Sequence, residues 1–364
     1  MDRIVTNIVN INNLTKEPCD KWIERFNDNV EIDAHKAFLK YGQQYEWLYK
    51  YSNIDLIAWE IENNCFNWKK NSRYVAIYCP NKFDTDRFNW KDDSWAVAEY
   101  CPDKFDSDKY NWENYSWLVV QYCIDKFDPN KYNWTDYSVQ IVKYCPDKFD
   151  SDKYNWKDYS WAVAQFCPDK FDSEKYNWEQ DSWAVAQYCK DKFDPNKYNW
   201  EKDSWAIAIY YNEKFDPNKY NWEKDSYYIA RFCSDKFDSE RFDWKNYSNA
   251  VAEYCPDKLD TDKFNWKKDS VAVVIYCPDK LDLDKFNWED DSWAIAKYCP
   301  DKLDSEKYNW KEYSRDIAEY CPDKLDYDKF NWEEDSYYVV KFCPDKLKII
   351  PEKYKDIINE KNSN

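Results

Sequence analysis

A tryptophan recurs at Trp68, Trp90, Trp112, Trp134, Trp156, Trp178, Trp200, Trp222, Trp244, Trp266, Trp288, Trp310 and Trp332, and every step is 22 residues without an insertion or deletion. A unit this short cannot bury a core alone. Thirteen copies in strict register therefore specify a stack in which each repeat covers its neighbour, and this overrides any domain count drawn from chain length. Residues 66–347 form the array, residues 1–65 precede it and residues 348–364 follow it.

The columns of the repeat are compared by numbering from its invariant serine (Ser72, Ser94, Ser116 and onward to Ser336) as position zero. Position three is Val or Ile, position four Ala or Val, position six Tyr or Phe, and position seven Cys except at Tyr211. Positions three, four and seven share one helical stripe, whereas the variable positions one, two and five fall on another side. A strand would place the most variable column on the same face as the most restricted, so the pattern predicts a helix. Serine is read as its N-cap, worth about 1 kcal/mol, and the proline after cysteine as its stop.

The second half of the repeat, D-K-F-D-x-x-K-Y-N-W, contains Asp-Pro at Asp128 and Pro129, Asp194 and Pro195, and Asp216 and Pro217. Asp followed by Pro reads as an N-cap and first helical residue, which predicts a second short helix. The expected fold is all-α: an elongated α-solenoid of thirteen short two-helix repeats. A leucine-rich-repeat-like or β-solenoid coil is the alternative, because Tyr110 and Trp112 also alternate as in a strand. Ala34, Phe38, Tyr41, Tyr45 and Leu48 step by four and three, so residues 1–65 are expected to form a helical cap. Residues 348–364 are read as a polar helix covering the last repeat. The core residue after the invariant lysine is Phe from Phe83 to Phe237 and Leu from Leu259 to Leu347, which predicts a pitch change near residues 238–260.

Repeats with a consensus close to KFDSDKYNWKDYSWAVAQYCPD resemble the tandem-repeat families encoded by AT-rich genomes, notably those of giant DNA viruses. The resemblance covers residues 66–347 and lies in the Asn-, Lys- and Tyr-rich style of the repeat. It implies an α-solenoid, with the host cytoplasm or the virion as its place, and carries over no functional residue.

Most chemistry-bearing columns have a structural reading. The only histidine, His35, lies outside the array, so the serines lack the base a nucleophile needs. Twelve of the fourteen cysteines form one column from Cys79 to Cys343. Neighbouring helices stand about 8–10 Å apart, beyond the roughly 7 Å that a disulfide spans, so these are read as small buried hydrophobes. The D-x-D pairs, such as Asp84 with Asp86, lack the glycine and spacing of a calcium loop and are read as caps. The lysine before each Phe or Leu is read as packing its stem over an aromatic ring and offsetting nearby acids. The repeated tryptophans are read as spacers between repeats. No cofactor, no metal and no enzymatic activity are expected.

A net charge of −18 opposes binding to nucleic acid or anionic lipid. The start MDRIVTNIVNINNLTKEPCD has no continuous apolar stretch, so a cytoplasmic protein is expected. Function is sought on the variable positions: Trp95, Glu99, Trp117, Gln121, Gln140, Lys143, Trp161, Gln165, Trp183, Gln187, Trp205, Ile209, Tyr227, Tyr228, Arg231, Trp293, Lys297, Arg315, Asp316 and Glu319. Variation on one face of a constant scaffold fits a protein–protein interaction surface. A self-associating assembly component and a carbohydrate-binding module are the alternatives.

Overall fold

The computed structural model describes residues 8–10, 31–33, 49, 56–348, 350 and 352–355. They belong to two compact units, Met1–Asn177 and Trp178–Asn364. In the first, strands β1 (Ile8–Asn10) and β2 (Glu31–Asp33) pair antiparallel with Val9 opposite Ile32. Helix α1 (Leu56–Glu62) then precedes α2 (Trp68–Tyr78), α3 (Trp90–Tyr100), α4 (Trp112–Tyr122), α5 (Trp134–Tyr144) and α6 (Trp156–Phe166). The second unit holds α7 (Trp178–Tyr188), α8 (Trp200–Tyr210), α9 (Trp222–Phe232), α10 (Trp244–Tyr254), α11 (Trp266–Tyr276), α12 (Trp288–Tyr298), α13 (Trp310–Tyr320) and α14 (Trp332–Phe342). Within each unit the helices pack in sequence order, giving an all-α repeat solenoid. Within the segment expected to form a helical cap, residues 8–10 and 31–33 are paired strands. The stripe from Ala34 to Leu48 lies outside the described residues.

Each repeat helix has eleven residues and starts four residues before the serine, so serine is not the cap. That role belongs to the asparagine before the tryptophan. Asn89 Oδ1 accepts from the Asp92 N–H at 3.3 Å and Asn111 Oδ1 from the Asn114 N–H at 3.2 Å, satisfying a donor that the first helical turn leaves open. In one copy Asp243 does the same for Asn246 at 3.2 Å. At the other end cysteine is the C-cap, with φ near −145° and its N–H bonded to position three. Proline follows in most copies, yet the helix ends at the same place before Ile124, Lys190, Asn212 and Ser234. Proline is therefore compatible with the stop but is not what produces it.

The second element of each repeat is a short 3-10 helix, which sits directly after the cysteine and not at the Asp-Pro position. After the cysteine comes a three-residue 3-10 turn, Pro102–Lys104 in one copy, and then a turn closed by the Tyr110 N–H to Asp106 O bond at 3.0 Å. Asp106 Oδ1 accepts from the Asp108 N–H at 3.0 Å, so the first aspartate of D-x-D caps a turn where a second helix is expected. Asp128 before Pro129 does likewise for Asn130. No strand occurs among the described residues of any repeat, so the β-coil alternative falls.

The core is built from the tryptophan, from positions two, three and four where they are small or branched, and from the cysteine. Ala96, Val97 and Ala98 are fully buried. Trp200 is buried, meets the Tyr198 ring at 5.2 Å and the Phe193 ring at 6.2 Å, and donates its indole N–H to Pro195 O at 3.1 Å. The change from Phe to Leu alters side-chain packing. Phe237 touches Phe242 and Trp244 at 4.8 and 5.8 Å, whereas past Leu259 only the Phe264–Trp266 contact remains, at 5.0 Å. The turn backbone hardly changes across the switch, with φ, ψ of −60°, 127° at Phe237 and −63°, 120° at Leu259.

The serine, fully buried inside the helix, is the centre of the junction between repeats. Its Oγ accepts the N–H of the next repeat's cap, as Ser94 does from Asn111 at 3.2 Å and Ser204 from Asn221 at 3.1 Å. The cap amide also reaches back, Asn221 Nδ2 donating to Glu201 O at 2.9 Å. The residue before the next serine then selects one of two latches. Where it is aspartate, its carboxylate accepts from the preceding serine and from the N–H beside it: Asp225 Oδ2 takes Ser204 Oγ at 2.5 Å and the Trp205 N–H at 3.1 Å. Where it is tyrosine, its hydroxyl donates to a backbone carbonyl of the preceding repeat, Tyr247 to Lys224 O at 3.0 Å. The preceding serine then turns to its own helix, Ser226 Oγ donating to Trp222 O. The helix relaxes out of helical values at Tyr137, Tyr159, Tyr247 and Tyr313, with φ of −127° at Tyr247 and −125° at Tyr313.

A second ladder runs through the turns. The lysine of K-Y-N-W bonds the acid eight residues before the preceding repeat's serine, Lys109 to Asp86 at 2.6 Å and Lys285 to Asp262 at 2.5 Å. The second aspartate of D-x-D thus serves the next repeat. Residues 352–355 are helical and lie over the last repeat, with the Tyr354 ring stacked on Trp332 at 4.7 Å and Lys353 paired with Asp328 at 3.0 Å.

Candidate functional site

Junction and core absorb most of the columns that carry reactive groups. The described cysteines are free, and those of the column are buried. Burial pushes the thiols of Cys101, Cys123 and Cys255 up to about 12, so they stay protonated and are poor nucleophiles. Tyr211, in the same column, turns its edge to the Phe193 ring at 5.5 Å. The lysine before Phe or Leu pairs with an adjacent acid, as Lys104 does with Asp103 at 3.0 Å. No described group of three or more His, Cys, Asp or Glu side chains is arranged to hold a metal. No described helix is long and apolar enough to cross a membrane.

The residues singled out on the variable stripe separate by position. At position one Trp95, Trp117, Trp161, Trp183, Trp205, Trp293 and Tyr227 are half-buried, while Arg315 is exposed. Trp95, Trp161, Trp183, Trp205 and Trp293 turn toward the ring at position six of their own helix, Trp183 to Tyr188 at 6.2 Å and Trp293 to Tyr298 at 6.4 Å. Trp205 also meets Tyr228 of the next repeat at 6.0 Å. Position two faces a neighbouring helix and is buried in most copies where it is Ala (Ala96, Ala162, Ala184, Ala206, Ala250 and Ala294), and Gln140, Tyr228 and Asp316 there are half-buried. At position five Glu99, Gln165, Gln187 and Ile209 are half-buried, and Gln121, Lys143, Arg231, Lys297 and Glu319 are exposed. The stripe is broader in the sequence than in the fold because a solenoid helix is flanked on both sides.

Asp316 is the misfit. Its Oδ2 is buried without a hydrogen-bond donor, Arg315 Nε stands 3.8 Å away, and desolvation raises its carboxyl above the ordinary range. Since the charged form is the one penalised, Asp316→Ala is expected to raise stability at pH 7 by roughly 1–3 kcal/mol. The gain should shrink as pH falls through the raised folded value toward the unfolded value near 4, below which the wild-type carboxyl is neutral in both states. Urea midpoints at several pH values test this, and a lower midpoint for the variant at pH 7 would refute it.

Position six is the column that the stripe omits. It is aromatic in every copy, yet it lies outside the core. Tyr100, Tyr122, Tyr144 and Phe166 in the first unit are 38–48% exposed, and Tyr188, Phe232, Tyr276, Tyr298 and Tyr320 in the second are 38–49% exposed. The signal was in the sequence, since position six is restricted without belonging to the stripe of positions three, four and seven.

Position five sets the charge around these rings. Lys297 Nζ lies 5.2 Å from the Tyr298 ring and 5.2 Å from the Tyr320 ring, between two successive rungs. Arg231 Cζ lies 5.0 Å from Phe232 and 5.1 Å from Tyr254, and its guanidinium donates to Tyr227 Oη at 2.7 Å. Two rings that share such a cation stand no more than ~10 Å apart. Glu99 and Glu319 instead hydrogen-bond Tyr100 and Tyr320, raising the phenol pKa of each. Each unit thus carries an exposed row of aromatic rings with interleaved charges of both signs.

Comparison with protein-family models, with curated proteins and with solved structures gives no match for this chain.

Proposed function

We propose that the chain is a non-enzymatic binding scaffold in which the row of position-six rings, tuned by position five, holds an extended segment of a protein partner. One observation carries this reading: an aromatic ring stays exposed in copy after copy while the buried columns already supply the core. Exposed aromatic and arginine side chains are the residues from which binding hot spots are built. The interleaved charges differ from rung to rung, which is where selectivity among partner segments would arise.

The row supports binding of an extended chain, because a polyproline-type segment repeats every three residues, about 9 Å, close to the spacing of packed helices. Selection of displayed random peptides on the full chain tests the proposal. Selected peptides should bind a Tyr276→Ser, Tyr298→Ser, Tyr320→Ser variant at least ~10-fold more weakly, with its unfolding midpoint close to wild type. Equal binding to both proteins would sink the proposal. Binding of β-linked oligosaccharides in place of peptides would replace it with a carbohydrate module.

A further inference from the structure

Within the second unit the variation at position five is ordered. Along α8–α13 it reads Ile209, Arg231, Glu253 and then Ile275, Lys297, Glu319, so the sequence apolar, basic, acidic occurs twice, three repeats apart. The residue before the serine keeps the same phase, with Asp203, Asp225 and Tyr247 matched by Asp269, Asp291 and Tyr313. The scaffold carries the cycle as well as the surface, since α10 and α13 leave helical values at Tyr247 and Tyr313.

The geometry repeats with the sequence. Arg231 Cζ lies 5.0 Å from the ring of its own rung, Phe232, and 5.1 Å from that of the next, Tyr254. Lys297 Nζ lies 5.2 Å from Tyr298 and 5.2 Å from Tyr320, its own rung and the next. Glu253 hydrogen-bonds Tyr254 as Glu319 does Tyr320, so each cation reaches over the ring whose hydroxyl the following acid holds. Arg231, Lys297, Glu319 and Ile275 are exposed, and Glu253 and Ile209 half-buried. We propose that α8–α10 and α11–α13 are two equivalent subsites, each taking a stretch of extended partner chain that bears an apolar, an acidic and a basic side chain at every third residue. This rests on the ring row being a binding face. Charge complementarity sets the partner's acid opposite Arg231 or Lys297 and its base opposite Glu253 or Glu319, where the reverse order is repelled. Three residues of extended chain span about 9–10 Å, one step of packed helices, so a subsite holds about nine residues. A partner with the pattern repeated at that interval fills both subsites, and linking them multiplies affinity without a new contact.

Titration calorimetry of the full chain tests this with synthetic peptides. A peptide of about nine residues with Leu, Glu and Lys at every third position, or its reversed sequence for the opposite chain direction, should bind at two sites per chain. A peptide of twice that length, with the pattern in tandem, should bind once and at least ~10-fold more tightly. Arg231→Glu, with its unfolding midpoint near wild type, should leave one site for the short peptide, and Lys297→Glu should remove the other. The short peptide with its Glu replaced by Lys should bind the site altered in Arg231→Glu and should not bind wild type. A single site on wild type, an unchanged number in Arg231→Glu, or equal binding of a shuffled peptide overturns the paired subsites, while peptides selected on the ring row still bind. If selected peptides bind wild type and the Tyr276→Ser, Tyr298→Ser, Tyr320→Ser variant equally, the binding face itself falls and the subsites fall with it.

Discussion

Replacing Ser204 by alanine is expected to destabilise the second unit by roughly 3–5 kcal/mol, several times the ~1 kcal/mol of a helix cap. The change removes the hydroxyl that donates to Asp225 at 2.5 Å and the oxygen that accepts the Asn221 N–H at 3.1 Å. Asp225 is buried, and desolvation already raises its carboxyl above the ordinary range, with the serine hydrogen bond the largest opposing influence. Without that hydroxyl a buried charge keeps only the Trp205 N–H. Ser226→Ala is the internal control, because its next repeat carries Tyr247 and the Ser226 hydroxyl is turned into its own helix. That substitution removes a neutral bond and one acceptor, and should cost about 1–2 kcal/mol. Urea denaturation of both variants provides the comparison. Equal losses would refute the distinction between the two latches, and an Asp225→Ala cycle would measure the coupling directly.

Trp200→Ala is expected to cost a similar ~3–5 kcal/mol, through packing. The ring is the first residue of its helix, lies against Tyr198 and Phe193, and ties its indole N–H to Pro195 O. That same carbonyl accepts Lys219 Nζ of the next repeat at 3.1 Å, so losing the indole loosens the point that the next turn grips. In a linear array the damage is confined to nearest neighbours. Hydrogen exchange should therefore show lost protection in α8 and the helices flanking it, with α13 and α14 unaffected. Uniform loss across the second unit would contradict nearest-neighbour coupling.

Much of the repeat can be read without coordinates. The period defines the unit, and the restricted positions three, four and seven mark a helix and its buried face. The cysteine column is buried as a small apolar side chain should be, and the tryptophans space the repeats. The cap assignment failed for a specific reason. Both serine and the asparagine before tryptophan are good N-cap residues in the same register, and propensity does not separate them. What separates them is that the serine hydroxyl is needed four residues into the helix, where Asn221 and Asp225 of the next repeat converge on it. Asp-Pro misled in the same manner, since it opens a capped turn as readily as a helix.

The interaction face shows the same division. A helical wheel assigns one buried stripe, but a helix with a neighbour on each side buries position two as well, and Asp316 sits there unbonded for that reason. Position six became a candidate only once its rings were seen to face solvent. The sequence by itself determined the period, the helix and the chemistry available in each column, because these follow from side-chain size and local hydrogen bonding. Which hydroxyl caps and which one joins, and which aromatic column is core and which is displayed, were decided by the packing of one repeat on the next. Those choices depend on atoms about twenty residues apart, and no local rule reaches that far.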